Sequence, residues 1–88
     1  MIEKTLVIKN RLGLHARPAA LFAQTASRFQ SSVKVCKDDL DVNGKSVMGL
    51  MMLAADQGSK LRLQVEGNDE AQALAELEKL FERKFDED

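Results

Sequence analysis

The chain is short of the residues on which several kinds of protein depend. Among its 88 residues there is one cysteine, Cys36, so no disulfide can form within the chain, which fits a reducing compartment. The single His, with no carboxylate cluster near it or near Cys36, leaves no ligand set for a metal, and no cofactor is expected. Trp and Tyr are absent and three of the four Phe suit the core, so the stacking surface of a nucleic-acid binder is missing.

Charge and hydrophobicity are also without extremes. Thirteen basic and fourteen acidic side chains give a formal net charge of −1, so no global attraction to nucleic acid or an anionic membrane is expected. Nucleic-acid binding through Lys9, Arg11, Arg17 and Lys45 remains the weakest hypothesis. No apolar run is long enough to cross a bilayer, and the first residues lack the pattern of a signal peptide. We therefore expect one cytoplasmic domain over residues 1–88, without membrane insertion.

Four segments alternate apolar and polar residues, which is typical of half-buried strands. They are residues 2–9, the two arms of a hairpin over residues 31–42 that turns at 37–39, and residues 60–66. The second face of each strand is mostly polar, so we expect only one side of the sheet to be covered.

Three segments predict helices. Residues 16–28 carry Phe and Ala at helical spacing, residues 47–54 follow Ser46 in the N-cap position, and a last helix capped by Asn68 runs to about Arg83. The expected buried stripe of the last helix is Ala71, Leu74, Leu77, Leu80 and Phe81. The order β-α-β-β-α-β-α predicts a two-layer α+β sandwich with three helices on one face of a four-stranded sheet. Residues 85–88 are acidic and are expected to fray.

Residues 10–20, NRLGLHARPAA, contain the only His and the only Pro of the chain. Pro18 falls in the first turn of the first helix, where its missing N–H costs nothing, so His15 lies at the helix start. Free N–H groups and the helix dipole favour an anion there, and Arg17 adds a permanent positive charge. A nucleophilic imidazole beside such an anion site favours a phosphoryl group carried on His15. The local pattern alone leaves open that His15 is a cap or an ordinary surface residue.

Three of the four Met lie in the short second helix, at positions 48, 51 and 52. Clustered Met often fills a core, but a helix this short cannot bury every side, so an exposed, adaptable apolar surface is the alternative. Gly49 weakens the same helix by about 1 kcal/mol relative to Ala, which close packing at that position would justify.

Two motifs, GLHARPA at residues 13–19 and GKSVMGLM at residues 44–51, resemble those of the HPr family. This family comprises the histidine-containing phosphocarriers of the bacterial phosphoenolpyruvate-dependent phosphotransferase system, and the resemblance extends over essentially the whole chain. It implies an open-faced β-sandwich with a mostly antiparallel sheet. It also implies that Nδ1 of His15 accepts a phosphoryl group from phospho-enzyme I and passes it to an enzyme IIA component. Arg17 would screen the phosphoryl charge, and the protein would be a carrier rather than an enzyme.

The resemblance further implies a regulatory site and a docking surface. Ser46 matches the serine that an ATP-dependent HPr kinase/phosphorylase phosphorylates in many bacteria, and a plain N-cap is the alternative. The partner-binding face would consist of Ala20, Leu21, Gln24, Val47, Met48 and Met51. We expect a monomer with modest affinity for each partner, because a carrier must leave each partner after transfer.

Some residues leave the branch of the family open. Arg11-Leu12-Gly13 and residues 85–88 look like the nitrogen-related paralogue NPr, and Leu12 replaces a small polar residue that is often found in sugar-type members. The alternative function is a regulatory docking module, NPr-like or acting on a kinase, transporter or transcription factor, whose phosphorylation state controls partner binding.

Overall fold

The computed structural model describes residues 1–87. Its elements are β1 (Ile2–Val7), α1 (Ala16–Ser27), β2 (Ser32–Lys37), β3 (Leu40–Asn43), α2 (Val47–Met52), β4 (Lys60–Glu66), α3 (Glu70–Glu82) and a 3-10 turn (Lys84–Asp86). The predicted order of strands and helices is confirmed, and each strand and helix lies where alternation or helical spacing predicts it.

The four strands form one antiparallel sheet in the order β1-β4-β2-β3. Leu63 of the central strand β4 lies opposite Lys4 of β1 on one side and opposite Val35 of β2 on the other. The hairpin between β2 and β3 turns at Asp38 and Asp39, and Asp38 adopts a left-handed backbone with φ of 53°. Asp is one of the few residues that tolerate this conformation, so it suits a tight turn.

All three helices cover the same face of the sheet and enclose the core with it. Val35, Leu61, Leu63 and Val65 on this face of the strands are buried together with Phe22, Leu50, Leu77 and Phe81 from the helices. The opposite face carries exposed polar side chains, among them Glu3, Lys34 and Arg62. The predicted open-faced α+β sandwich is therefore confirmed.

Two details of α3 differ from the prediction. Ala71 is exposed, and Ala73 takes its place in the buried stripe with Leu74 and Leu77, because residue 71 lies on the flank of this row of side chains. Asn68 is not the cap of the helix. Asp69 precedes the first turn, and its carboxylate turns away from α3 to bind Ser31.

The segment after α3 is not frayed as predicted. Phe85 is completely buried, and its ring centroid lies 5.1 Å from that of Phe81. Lys84, Phe85 and Asp86 all have left-handed backbones, with φ between 54° and 59°. This conformation is strained for residues other than Gly, so the segment is held in place by its contacts with the rest of the protein. The expectation for Asp88 lies outside the described residues.

Candidate functional site

The loop before α1 is fixed by a close approach of two backbone segments. Gly13 has φ of +74°, its amide donates to the carbonyl of Asn10 at 3.2 Å, and the next amide, of Leu14, donates to Ala55 at 2.8 Å. A Cβ at position 13 would lie 2.3 Å from the carbonyl oxygen of Ala55. Only glycine fits position 13, and the fixed loop delivers His15, two residues further on, to the start of α1.

His15 lies at the start of α1, as predicted, and is its N-cap residue. Its backbone is extended, its carbonyl accepts from the amide of Ala19 at 2.9 Å, and Pro18 is buried in the first turn. The imidazole makes no capping bond to the helix, and about a third of the side chain is exposed. The ring is therefore available for chemistry at a position where the helix favours an anion.

The ring of His15 is held from one side by a carboxylate. Nε2 of His15 lies 2.8 Å from Oε1 of Glu87, whereas Nδ1 has no hydrogen-bond partner within residues 1–87. The hydrogen bond with His15 is the main cause of a lowered pKa of Glu87, and those from Asn10 and Arg17 act in the same direction. Glu87 is therefore ionised at neutral pH and acts as an acceptor only.

Arg17 reaches the same carboxylate. Nη1 of Arg17 donates to the carbonyl of Phe85 at 2.7 Å and to Oε2 of Glu87 at 3.2 Å, while half of its side chain stays exposed. The structure therefore brings the two predicted residues, His15 and Arg17, to opposite oxygens of one carboxylate.

Asn10, in the loop between β1 and α1, is the fourth member of this cluster. It is fully buried, and its Nδ2 donates to the carbonyl of Gly13 at 2.7 Å and to Oε1 of Glu87 at 3.0 Å. Neither Asn10 nor Glu87 was a predicted site residue. The tendency of Asn to hydrogen-bond nearby backbone in turns is a signal for Asn10, whereas nothing in the local sequence points to Glu87.

An apolar surface adjoins this cluster. Met48 and Met51 of α2 are exposed, and α2 packs against α1, which carries the half-buried Ala20 and Leu21 and the exposed Gln24. A cleft of about 220 Å³ is lined by Leu12, Leu14, His15, Met51, Ala54, Ala55 and Asp56. The clustered Met are thus exposed rather than core filler, and Met51 lines the same cleft as the imidazole.

Ser46 caps α2, as predicted. Its Oγ accepts from the amide of Gly49 at 3.0 Å, and a Cβ at Gly49 would lie 3.2 Å from the same oxygen. Close packing therefore accounts for the glycine in this helix. Val47, the first residue of α2, is exposed, so a modification at Ser46 would alter the edge of the apolar surface.

Cys36 is separate from the cluster and is buried on β2, between Asp41 of β3 and Arg62 of β4. Burial and a hydrogen bond with Asp41 raise the pKa of the thiol, which favours an unreactive side chain. Across residues 1–87 there is no group of three or more His, Cys, Asp or Glu side chains that could hold a metal ion. No helix in the same part of the chain is long and apolar enough to cross a bilayer.

These features define a small α+β protein that presents one histidine and one guanidinium at a helix start beside an apolar surface. The family described as PTS HPr component phosphorylation site matches residues 2–83. Phosphocarrier protein HPr of Treponema pallidum (strain Nichols) is 52% identical over 88 residues, 100% of both chains. The HPr-like protein Crh of Halalkalibacterium halodurans is 49% identical over 83 residues, 94% of this chain and 99% of the relative.

The fold comparison agrees. The crystal structure of HPr-C-His from Thermoanaerobacter tengcongensis matches with a TM-score of 0.95 at 53% identity, over 100% of this chain and 99% of that one. The chain belongs to the HPr family, as its two motifs predict.

Proposed function

We propose that this protein is a phosphocarrier of the phosphoenolpyruvate-dependent phosphotransferase system. It accepts a phosphoryl group on Nδ1 of His15 from phospho-enzyme I and passes it to an enzyme IIA component. The observation that carries the proposal is the position of the imidazole at the start of α1, with Nδ1 free of hydrogen bonds within residues 1–87 and Arg17 within the same cluster. Membership of the HPr family supports the same role.

The proposed transfer uses few groups of this chain. The lone pair of Nδ1 attacks phosphorus, the N–P bond forms as the bond between phosphorus and the donor breaks, and the second transfer reverses these roles. The start of α1 and the guanidinium of Arg17 stabilise the charge of the phosphoryl oxygens. The protein supplies a nucleophile and an anion site but no turnover of its own, so it is a substrate of its partners rather than an enzyme.

The partner-binding face is proposed to consist of Ala20, Leu21, Gln24, Val47, Met48 and Met51. Its support is that α1 and α2 pack together and that Met51 of this face lines the same cleft as His15. Enzyme I and enzyme IIA would dock here in turn, because one face cannot hold both at once. Each would bind a monomer, and each with modest affinity, since a carrier must leave each partner after transfer.

Ser46 is proposed as a regulatory site for an ATP-dependent HPr kinase/phosphorylase. A phosphate on Oγ would lie at the start of α2, where the helix favours negative charge, so the fold would be retained. The added charge would instead disturb docking next to Val47 and Met48.

The proposal is tested by the intact mass of the protein after incubation with phosphoenolpyruvate and purified enzyme I of the sugar and nitrogen types. We expect one added phosphoryl group that is labile in acid and absent from His15→Ala. Failure of every active enzyme I preparation to label the wild-type protein would contradict the carrier role.

A regulatory docking module is the second candidate, supported by the similarity to the HPr-like protein Crh and by the exposed Met side chains of α2. Its test is whether His15→Ala keeps the effects of the protein on its binding partners. Retention of all these effects would favour the module, and loss of phosphoryl relay with docking intact would favour the carrier.

A further inference from the structure

The geometry points to Glu87 as a positioning residue for His15, itself held by Asn10, that keeps the proton on Nε2 and leaves the lone pair on Nδ1. This inference rests on the proposed function, because it explains which ring nitrogen is ready to accept the phosphoryl group. It adds Asn10 and Glu87, which are far apart in the sequence, to the two residues that the family motif supplies, His15 and Arg17.

The contact between His15 and Glu87 identifies the nitrogen that carries the proton. Oε1 of Glu87 lies 2.8 Å from Nε2 of His15, and an ionised carboxylate can only accept a hydrogen bond. Nε2 must therefore carry the proton. A neutral imidazole has one N–H, so Nδ1 carries the lone pair, and the bond also sets the direction in which that lone pair points. The low pKa of Glu87 keeps its carboxylate in the form that this bond requires.

Asn10 supports the carboxylate of Glu87. Nδ2 of Asn10 donates both to the carbonyl of Gly13 and to Oε1 of Glu87. Both partners are acceptors, so the amide can take only this orientation, although it leaves Oδ1 of Asn10 buried without a partner in the described residues. The amide therefore links the loop that carries His15 to the carboxylate that orients its ring.

The segment that carries Glu87 is anchored by Phe85. The ring of Phe85 is completely buried, and the carbonyl of Phe85 accepts from Nη1 of Arg17 at 2.7 Å. Three successive left-handed residues, Lys84, Phe85 and Asp86, bring Glu87 back over α1. A strained backbone that is fixed at both ends holds a side chain more precisely than a free surface segment does.

The test compares Glu87→Ala with Glu87→Gln and with Asp86→Asn. Gln keeps an oxygen that accepts from Nε2, whereas Ala removes it. Asp86 carries a neighbouring charge that pairs with Arg83 and has no contact with His15, and Asn tolerates the left-handed backbone at that position. Asp86→Asn is therefore the matched control for loss of charge.

Two measurements are made on each protein. One is the ¹⁵N spectrum of the His15 ring at about pH 8.5, where an imidazole is neutral, together with the solvent exchange of its N–H proton. The other is the rate of phosphoryl acceptance from phospho-enzyme I. We expect wild type, Asp86→Asn and Glu87→Gln to show the Nε2-protonated ring with a protected proton. Glu87→Ala should lose the protection and accept phosphate about 10-fold more slowly, with Glu87→Gln restoring most of the rate.

An unchanged ring spectrum and rate in Glu87→Ala would overturn the positioning role, as would an equal loss in Asp86→Asn. The ring spectrum needs no partner protein. If no enzyme I preparation labels the wild-type protein, the proposed function fails while the spectrum still decides whether Glu87 positions the ring.

Discussion

The carboxylate of Asp69, just before α3, accepts hydrogen bonds from both the amide and the hydroxyl of Ser31, just before β2. A third bond comes from the amide of Gln30 at 3.0 Å. This one side chain ties the start of the last helix to the start of a central strand, 38 positions away along the chain. It also explains why Asp69 does not cap its own helix, since its oxygens are already engaged.

These bonds, chiefly that from Ser31, lower the pKa of Asp69 and make stability depend on pH. A lowered folded-state pKa gives stability that is present above the unfolded value of about 3.9 and is lost as pH falls through the folded value. We expect Asp69→Asn to be less stable at neutral pH and the difference from wild type to shrink in acid. Urea denaturation between about pH 7 and pH 2 measures this, and a constant difference would contradict it.

Gly13→Ala tests the loop that positions His15. A left-handed backbone at a residue other than Gly costs about 1–3 kcal/mol, and the new Cβ would also overlap the carbonyl of Ala55. Gly58→Ala is the control, because Gly58 also has positive φ but open space around its Cβ position. We expect Gly13→Ala to lose about 1–3 kcal/mol more in the free energy of unfolding. Equal losses would show that the close approach is not decisive.

Phe85→Ala tests the anchor of the segment after α3. Removal of a fully buried Phe costs about 3–5 kcal/mol, and we expect the N–H proton of His15 to lose its protection as Glu87 is released. Phe29→Ala, at a half-buried position over which Arg28 lies, should cost less and leave the ring of His15 unchanged. Denaturation measures the loss of stability in both variants, and ¹⁵N spectra show whether the N–H proton of His15 stays protected.

Ser46→Ala removes the cap of α2. We expect a loss of about 0.5–2 kcal/mol in the free energy of unfolding, because the amide of Gly49 loses its acceptor. Ser46→Asp keeps an acceptor and should be close to wild type in stability. If the two variants unfold alike, the cap does not contribute as the structure indicates.

Met48→Asp tests the proposed docking surface. Met48 is 78% exposed, so the change should leave the melting temperature nearly unchanged while it weakens enzyme I binding. The control is Leu40→Asp, which places the same charge at an exposed apolar residue of β3, outside the proposed partner-binding face. Titration calorimetry with enzyme I should detect weaker binding for Met48→Asp alone, and similar binding by both variants would argue against this surface.

Much of the fold follows from local pattern. Period-two alternation places the strands, Pro18 places the start of α1, and Ser46 places the start of α2. These predictions succeed because each depends on residues that are neighbours in the chain. The motif around His15 likewise indicates a site at a helix start before any tertiary contact is known.

Three of the differences between prediction and structure originate in distant contacts. The cap of α3 is set by Ser31, which draws Asp69 away, and the order of residues 84–87 is set by the burial of Phe85. Glu87 lies 72 positions from His15, and no spacing rule connects two residues so far apart. Local sequence therefore predicts the position of His15 but not its contact with Glu87.

The wide separation of His15 and Glu87 also links chemistry to folding. Contacts between distant parts of a chain carry a large loop-closure entropy, so they persist only when the packing between them is complete. The contact between Glu87 and His15 therefore requires Phe85 to be docked in the core. The proposed orientation of the His15 ring thus depends on tertiary packing at the far end of the chain and not on α1 alone.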